Sequence, residues 1–228
     1  MKLGILTAMS VEYKQLAAMM ANSRTVSFAE ESYLVGEIGT LEVVLLQCGI
    51  GKVNAAMGVS LMIERMHPDA VLSTGVAGGI DDCLHVMDVV VSSQTVYHDM
   101  WCGPGNVWGQ VQDMPERFTC DAKMVKAALD TESEVRILDG LICTGDLFVS
   151  KPEEQQLIKS RFPEALAVDM ESAAIAQVCY LKKVPFVSFR IISDTPGHKD
   201  NISQYVDFWK TMADKSFAVT RAYLNKLL

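Results

Sequence analysis

Apolar runs rich in β-branched residues alternate with segments of helical periodicity along the chain. Strands that are buried on both faces read as continuous apolar runs, and helices fill the connections between parallel strands. The alternation therefore predicts an α/β fold in which helices cover a largely buried sheet. The predicted strands cover residues 2–7, 25–28, 33–38, 42–47, 70–74, 88–96, 137–143 and 186–192. The predicted helices cover residues 10–21, 52–66, 121–129, 153–161, 170–181 and 203–227.

The early strands indicate a mixed sheet. Residues 25–28 and 33–38 flank the polar sequence Glu30-Glu31-Ser32, which is typical of a hairpin of antiparallel strands. No internal repeat and no long Pro/Gly/Ser linker divides the chain, so we expect one domain over residues 1–228. Folding a chain of this length buries roughly 70% of the surface exposed when it is extended, which suffices for a core without metal or disulfide staples.

The charge balance excludes some classes of partner. The chain has 20 Lys plus Arg against 28 Asp plus Glu, a formal net charge of −8 at pH 7. A negative net charge disfavours nucleic acids and anionic membrane surfaces as partners. Only 7 of the positive residues are Arg, the side chain best shaped to grip phosphate at two points.

No apolar run approaches the ~18 residues of a transmembrane helix, so no membrane partner is expected.

The six cysteines indicate reduced thiols. They form no CxxC pair and have no local histidines that would build a metal cluster with them, so neither zinc nor a disulfide framework is expected. The apolar stretch at the N-terminus is interrupted by Glu12 before a secretory signal could be completed. We therefore expect a cytoplasmic protein with Met1 as its start.

Polar and small residues follow several predicted strands, and ligands of open α/β sheets bind at the carboxyl ends of strands. These positions are Met9 and Glu12 after the first strand, residues 75–79 after the fifth, residues 144–149 after the seventh, and Ser193 and Asp194 after the last. The small residues at 75–79 would let a ligand approach the backbone closely. The carboxyl ends of these strands are therefore the predicted site.

Three acidic residues each have a functional and an ordinary interpretation. Glu171 opens a predicted helix, whose dipole would keep it ionised as an acceptor for the 2′ and 3′ hydroxyls of a ribose, or it is a solvated first-turn acid. Asp194 is either a turn cap or a buried acid whose raised pKa lets it hold a proton at neutral pH. Glu12 is either a base for water or a surface residue of the first helical turn.

Two other side chains are also ambiguous. Arg190 lies in the last apolar strand and needs a carboxylate partner if it is buried. Phe148 is either a core residue or a platform for a flat ligand.

The glycine-rich sequence CGIGKVNAA at residues 48–56 fails the spacing of phosphate-binding loops, because Val53 stands where Ser or Thr is needed. It indicates a tight strand-to-helix turn.

Together these segments resemble a known family. The sequences GILTAM followed by Glu12, CGIGKVNAA, STGVAGG, YHD, TGDLFV, AVDMESAAIA and FRIISD occur in its order from Met1 to the terminal helix. The chain resembles the 5′-methylthioadenosine/S-adenosylhomocysteine nucleosidases of the nucleoside phosphorylase superfamily. The resemblance implies a three-layer α/β/α sandwich with a mixed, partly closed central sheet. It also implies a homodimer that hydrolyses the N-glycosidic bond of 5′-modified adenosines, without cofactor or metal.

The resemblance also implies roles for individual residues. Glu12 matches the base that activates water, and Asp194 matches the acid that protonates adenine at N7. Glu171 and Met170 match the ribose-binding pair, and Phe148 matches the ring that stacks on adenine. The remaining implied contacts with the nucleoside are Val149 through its backbone N–H and C=O, Ala77 and Gly78 by close approach, Arg190 beside the water, and the flanking residues Met9 and Ser193.

The sequence also departs from the family pattern. Val76 stands where we expect a serine, Ser10 and Val11 replace a more acidic stretch, and residues 100–112 do not match the segment that usually covers the 5′ substituent. Two alternatives therefore stay open. A phosphorylase would need arginines near residues 7–12 and 73–79, which contain none. A binding protein without turnover would not need the three acidic residues that this chain retains.

Overall fold

A single ten-stranded sheet organises the computed structural model, which describes residues 1–29, 31–196, 200–211 and 213–227. The strands are β1 (Lys2–Thr7), β2 (Ala21–Phe28), β3 (Glu31–Ile38), β4 (Leu41–Gln47), β5 (Ala70–Gly79), β6 (Val89–Tyr97), β7 (Phe118–Thr119), β8 (Ile137–Thr144), β9 (Ala165–Asp169) and β10 (Phe186–Asp194). The helices are α1 (Ser10–Ala17), α2 (Lys52–Met66), α3 (Ala122–Leu129), α4 (Pro152–Arg161), α5 (Ser172–Lys182), α6 (Asn201–Thr211) and α7 (Ala213–Lys226).

The sheet closes on itself at one end. Residues 70–73 of β5 pair in parallel with β1, and residues 71–78 pair in parallel with β10 on the other edge. The last two residues of β5 pair with β9. Because β10 also pairs with β6, and β6, β8 and β9 are consecutive neighbours, five strands form a ring. β1, β4, β3 and β2 extend from β5 as an open arm. Parallel and antiparallel pairs coexist, so the mixed, partly closed sheet is confirmed.

The helices form two groups around this sheet. On one side α2 and α5 pack against each other, and on the other α1 and α3 both contact α7. Members of both groups contact strands, which completes the three-layer α/β/α arrangement. The largest apolar cluster joins β1, β4 and β5 to these helices through side chains such as Leu3, Ile5 and Val71, all fully buried. This core holds the carboxyl ends of the strands in place.

The structure extends some predicted elements and adds two short strands, Phe118–Thr119 and Ala165–Asp169. β5 runs to Gly79, five residues beyond its predicted end, because the small residues that suggest a loop are accommodated inside the strand. The strand Ala165–Asp169 is not predicted, since its alanine-rich sequence has low β-propensity. The helix predicted at 170–181 begins at Ser172, and the one predicted at 10–21 ends at Ala17.

The terminal region is helical on both sides of residue 212. The single helix predicted at 203–227 corresponds to α6 and α7. Its continuity at residue 212 falls outside the described residues. In the described part of the chain, no helix is both long enough and apolar enough to cross a bilayer.

The end of α2 generates a stability prediction. His67 ends this helix with φ of 49° and ψ of 57°, a left-handed conformation that glycine adopts without steric cost. We expect His67→Gly to raise the free energy of unfolding by about 0.5–1 kcal/mol, after allowing for the extra freedom of glycine in the unfolded chain. His67→Ala keeps the Cβ and should give no such gain in urea denaturation. Equal stabilisation by both variants would contradict this account.

Candidate active site

A cavity lies at the carboxyl ends of β1, β8, β9 and β10, beside the last residues of β5. Its position agrees with the predicted site at the carboxyl ends of the strands. All eleven residues predicted for the site line it: Met9, Glu12, Ala77, Gly78, Phe148, Val149, Met170, Glu171, Arg190, Ser193 and Asp194. Val76 and Leu147 also line the cavity and fall within the predicted ranges 75–79 and 144–149. The structure adds five lining residues outside those ranges: Ala8, Ile50, Val168, Asp169 and Tyr205.

Glu12 is a buried carboxylate with a cradle of backbone donors. It is the third residue of α1 and reaches back over the start of the helix, where Oε2 accepts from the N–H groups of Ala8 (3.1 Å) and Met9 (2.9 Å). Oε1 accepts from the N–H of Val76 at 3.2 Å. Burial raises the pKa of Glu12, while Arg190 and the three N–H groups oppose that rise. These bonds fix both oxygens relative to β5.

Gly75 makes room for this carboxylate. A Cβ placed there would overlap the Glu12 carboxylate and come within 2.9 Å of Nη1 of Arg190. At Gly78 the space is filled by Pro196, whose Cγ would lie 2.7 Å from an added Cβ. The sequence predicts that the small residues of β5 let a ligand approach the backbone closely. In the structure, the absence of a side chain at Gly75 and Gly78 also leaves space for Glu12, Arg190 and Pro196 of the protein itself.

Asp194 ends β10 as a buried acid. Its Oδ1 accepts from the Ser193 hydroxyl at 2.6 Å, and its Oδ2 accepts from the side-chain amide of Asn201. Burial raises the pKa of Asp194 to about 6, although both donors favour the ionised form. The structure therefore buries Asp194, as the interpretation as a pocket acid requires. A carboxyl group with this pKa can hold or release a proton close to neutral pH.

Arg190 is completely buried and paired, as its apolar setting predicts. Its Nη2 lies 2.9 Å from Oδ2 of Asp169 and 3.5 Å from Oε2 of Glu171. The serine hydroxyls around it accept from the guanidinium: Ser188 at Nε, and Ser73 and Ser172 at Nη2. Thr144 donates to the other oxygen of Asp169 at 2.6 Å. This buried network joins β5, β8, β9, α5 and β10 at the floor of the cavity.

Glu171 differs from its sequence-based prediction in two respects. It precedes the first residue of α5, but its carboxylate makes no bond to that helix, whose first N–H is bonded by Asp169 instead. Glu171 turns to the N–H of Gly51, at 3.0 Å. Burial raises its pKa, against the opposing charge of Arg190. The expectation that a helix dipole keeps this carboxylate ionised is wrong, because its desolvation outweighs that effect, and the solvated alternative is wrong because the residue is buried.

Aromatic side chains border the cavity. Phe148 is 46% exposed, and its ring meets that of Tyr205 edge to face, with centroids 5.3 Å apart. The Tyr205 hydroxyl donates weakly to Sδ of Met9 at 3.6 Å. Phe148 is therefore not a core residue. Tyr205 was not found from the sequence because helical periodicity in α6 does not reveal which turn meets a distant loop.

Two of the three departures noted in the sequence bear on the lining of the cavity. Val76 lines the cavity and donates only its backbone N–H to Glu12. Within the described part of the chain, no residue of 100–112 lines the cavity. That segment packs on itself, with Trp101 stacked on Trp108 and the Arg161 guanidinium 3.4 Å from the Trp108 ring centroid. The chain therefore does not use this segment to enclose its own cavity.

Comparison with known proteins identifies the family. The sequence profile of the phosphorylase superfamily matches residues 2–225. The chain belongs to this superfamily. It is 38% identical to the 5′-methylthioadenosine/S-adenosylhomocysteine nucleosidase of Anoxybacillus flavithermus, over 100% of this chain and 99% of that protein. It is 39% identical to the nucleosidase of the same name from Chromohalobacter salexigens, over 99% and 97% of the two chains. Within the superfamily, the chain therefore belongs to the nucleosidase family.

Solved structures of nucleosidases share the fold. The enzyme of Colwellia psychrerythraea, in complex with adenine, superposes with a TM-score of 0.93 at 36% identity and covers 100% of this chain and 96% of its own. The enzyme of S. pneumoniae, with a transition-state inhibitor, gives 0.93 at 34% identity, covering both chains completely. The family resemblance inferred from the sequence motifs is confirmed, as is the predicted fold class.

The environment of Asp194 predicts how stability depends on pH. The raised pKa means that the folded protein keeps a proton which the unfolded chain releases between about pH 4 and pH 6. Wild-type stability from this group is therefore present at low pH and lost as the pH rises through that window. Asp194→Asn cannot ionise, so its stability relative to wild type should increase by on the order of 2–3 kcal/mol from pH 4 to pH 7.5. Urea denaturation at both pH values tests this, and a constant difference would contradict it.

Proposed function

We propose that this chain is a hydrolase that cleaves the N-glycosidic bond of 5′-modified adenosines to adenine and the corresponding ribose. Methylthioadenosine and S-adenosylhomocysteine are the proposed substrates, since both stand in the names of relatives that match along the whole chain, and 5′-deoxyadenosine is a further candidate. The observation that carries the proposal is the pair of buried carboxyl groups, Glu12 and Asp194, held in different surroundings in one cavity.

Asp194 is the proposed acid. Adenine is a poor leaving group as an anion, and a proton on N7 lets it leave as a neutral base. Burial gives Asp194 a pKa of about 6, so it retains enough of the protonated form to supply that proton. Phe148 would contact the face of the base, and the backbone N–H and C=O of Val149 would pair with its N1 and exocyclic amine.

Glu12 is the proposed base for the attacking water. Cleavage of a ribosyl bond develops positive charge on the sugar, and water then attacks the anomeric carbon from the opposite face. Burial raises the pKa of Glu12, but three backbone N–H groups and the charge of Arg190 oppose this rise. These groups stabilise the ionised form, which is the form that accepts a proton. The fixed position of both carboxylate oxygens supports a role in orienting water.

Glu171 and Met170 are the proposed ribose contacts. Both line the cavity beside Arg190. A carboxylate that accepts from the 2′ and 3′ hydroxyls stabilises the sugar more strongly as positive charge grows on it. Because burial raises the pKa of Glu171 in the empty site, binding of two hydroxyl donors would favour its ionised form. None of these steps calls for chemistry beyond acid, base and hydrogen bonds.

The charges in the cavity favour water over phosphate as the nucleophile. Four acidic residues line the cavity: Glu12, Asp169, Glu171 and Asp194. Among the lining residues Arg190 is the single cation, and it is already bonded to two of these carboxylates. A phosphate dianion needs free cationic donors, ideally paired arginines. Hydrolysis is therefore preferred to phosphorolysis.

Adenine release in phosphate-free buffer tests this choice. We expect the purified protein to convert methylthioadenosine to adenine and methylthioribose, with no dependence on added phosphate. Asp194→Asn should lower turnover by at least about 100-fold, because it removes the proposed proton donor. Release that requires phosphate and yields a ribose 1-phosphate would overturn the hydrolase proposal. No release under either condition would favour a binding protein without turnover.

We further propose that the protein is a homodimer and acts in the cytoplasm. Val53 and Met57 are 69% and 58% exposed and lie one turn apart on α2, next to the exposed Ile50. Apolar side chains grouped in this way are typical of an interaction surface. Ile50 also lines the cavity, so this surface adjoins the site. The free state of all six cysteines supports a reducing compartment.

A charge on this surface tests the dimer. We expect the wild-type protein to sediment as a dimer and Met57→Glu to sediment as a monomer, because the interface would bury an unpaired carboxylate. Leu129→Glu places the same charge at an exposed apolar position on α3 and should leave the dimer intact. A monomeric wild type, or a Met57→Glu variant that stays dimeric, would contradict the proposed interface.

A further inference from the structure

Asn201 is a buried residue that brings an amide to the proposed acid. It is the first residue of α6 and only 2% exposed. Its Nδ2 donates to Oδ2 of Asp194, on the side opposite the hydroxyl of Ser193. Its Oδ1 has no hydrogen-bond partner within the described part of the chain. If the amide were flipped, its Oδ1 would face Oδ2 of Asp194, and two acceptor oxygens repel each other. The carboxylate therefore determines the orientation of the Asn201 side chain.

The first turn of α6 is attached to the site at three points. Gln204, three residues after Asn201, accepts from both the backbone N–H and the hydroxyl of Thr195 at 2.8 Å. Tyr205, four residues after Asn201, contacts Phe148 and Met9. Residues separated by three and four positions share one helix face. That face therefore connects the proposed acid with the aromatic border of the cavity.

We propose that Asn201 is a positioning residue for the acid step: its amide holds the Asp194 carboxyl group in place and stabilises the carboxylate that remains after proton transfer. The proposal rests on the nucleosidase function inferred above. In that reaction the proton passes from Asp194 to N7 of adenine, and the electron pair of the glycosidic bond passes to the base. Water then bonds to the anomeric carbon and gives its proton to Glu12.

The physical argument concerns a balance of two effects. Burial alone would make Asp194 hold its proton too tightly to give it away, because the product carboxylate would be desolvated. A donor directed at Oδ2 stabilises that product, and hydrogen bonds to a charged group are the stronger class. Ser193 supplies one such donor and Asn201 the other. Loss of the amide therefore weakens the acid while leaving the rest of the cavity in place.

Two substrates separate this role from a merely structural one. Methylthioadenosine needs a protonated leaving group, whereas 4-nitrophenyl 5-methylthio-β-D-ribofuranoside releases a phenolate that leaves without a proton. We expect Asn201→Ala to lower kcat on methylthioadenosine by about 10- to 100-fold, with KM changed less than threefold. The rate on the aryl riboside should stay within about threefold of wild type, as it should for Asp194→Asn.

Matched variants complete the test. Asn201→Leu keeps the approximate volume of the side chain but removes the donor, so it should lose at least as much activity on methylthioadenosine as Asn201→Ala. Ile202→Ala truncates the next residue of α6, which is 64% exposed, and should match wild type on both substrates. Thermal unfolding of each variant verifies that it is folded at the assay temperature.

Each outcome decides the proposal. Full activity of Asn201→Leu, or equal losses of Asn201→Ala on both substrates, would overturn the positioning role. If the wild-type protein does not cleave the aryl riboside, kcat and KM of Asn201→Ala on methylthioadenosine test the proposal instead. A rise in KM with unchanged kcat would overturn the positioning role. Failure of wild type to release adenine would instead refute the nucleosidase function, and a loss in Asp194→Asn without one in Asn201→Ala would refute this inference alone.

Discussion

The ion pair between Arg190 and Asp169 is the constraint on which the site depends. A completely buried guanidinium is costly unless every donor is engaged, and here carboxylates and serine hydroxyls from β5, α5 and neighbouring strands surround it. Removing Asp169 would leave the buried guanidinium with Glu171, at 3.5 Å, as its remaining carboxylate. The network thereby ties the closed ring of strands to the floor of the cavity, and the charge of Arg190 opposes the rise in pKa that burial causes at Glu12 and Glu171.

The acidic residues share a cavity but not an environment. Backbone N–H groups and the nearby arginine act on Glu12, whereas side-chain donors act on Asp194, which has no cation among the causes of its raised pKa. Burial raises the pKa of both groups, but the groups that oppose this rise differ. The difference arises from topology, because Glu12 lies in the first turn of α1 beside β5 and Asp194 ends β10.

Much of this arrangement could be predicted from the sequence. Apolar runs located most strands, and the position of polar residues after them located the cavity, since both depend on local pattern. The strand Ala165–Asp169 was missed because pairing with β8 and β5 compensates for weak local propensity. Asp169, Tyr205 and Asn201 received no role, and the charge of Glu171 was misjudged, because partners distant in sequence determine these properties. The local pattern of apolar and polar residues does not reveal which groups, distant in sequence, pack around a carboxylate and remove it from water.

The contact between α6 and Asp194 has a consequence for protein synthesis. Glu12 is made early, whereas Asp194 and Asn201 lie in the last fifth of the chain. A ribosome that has completed only β9 and α5 has produced the proposed base and the proposed ribose contact, but neither the proposed acid of β10 nor its amide partner. Under the proposed roles, the nascent chain cannot perform the complete reaction until α6 docks against β10. Activity would therefore report that folding has reached α6.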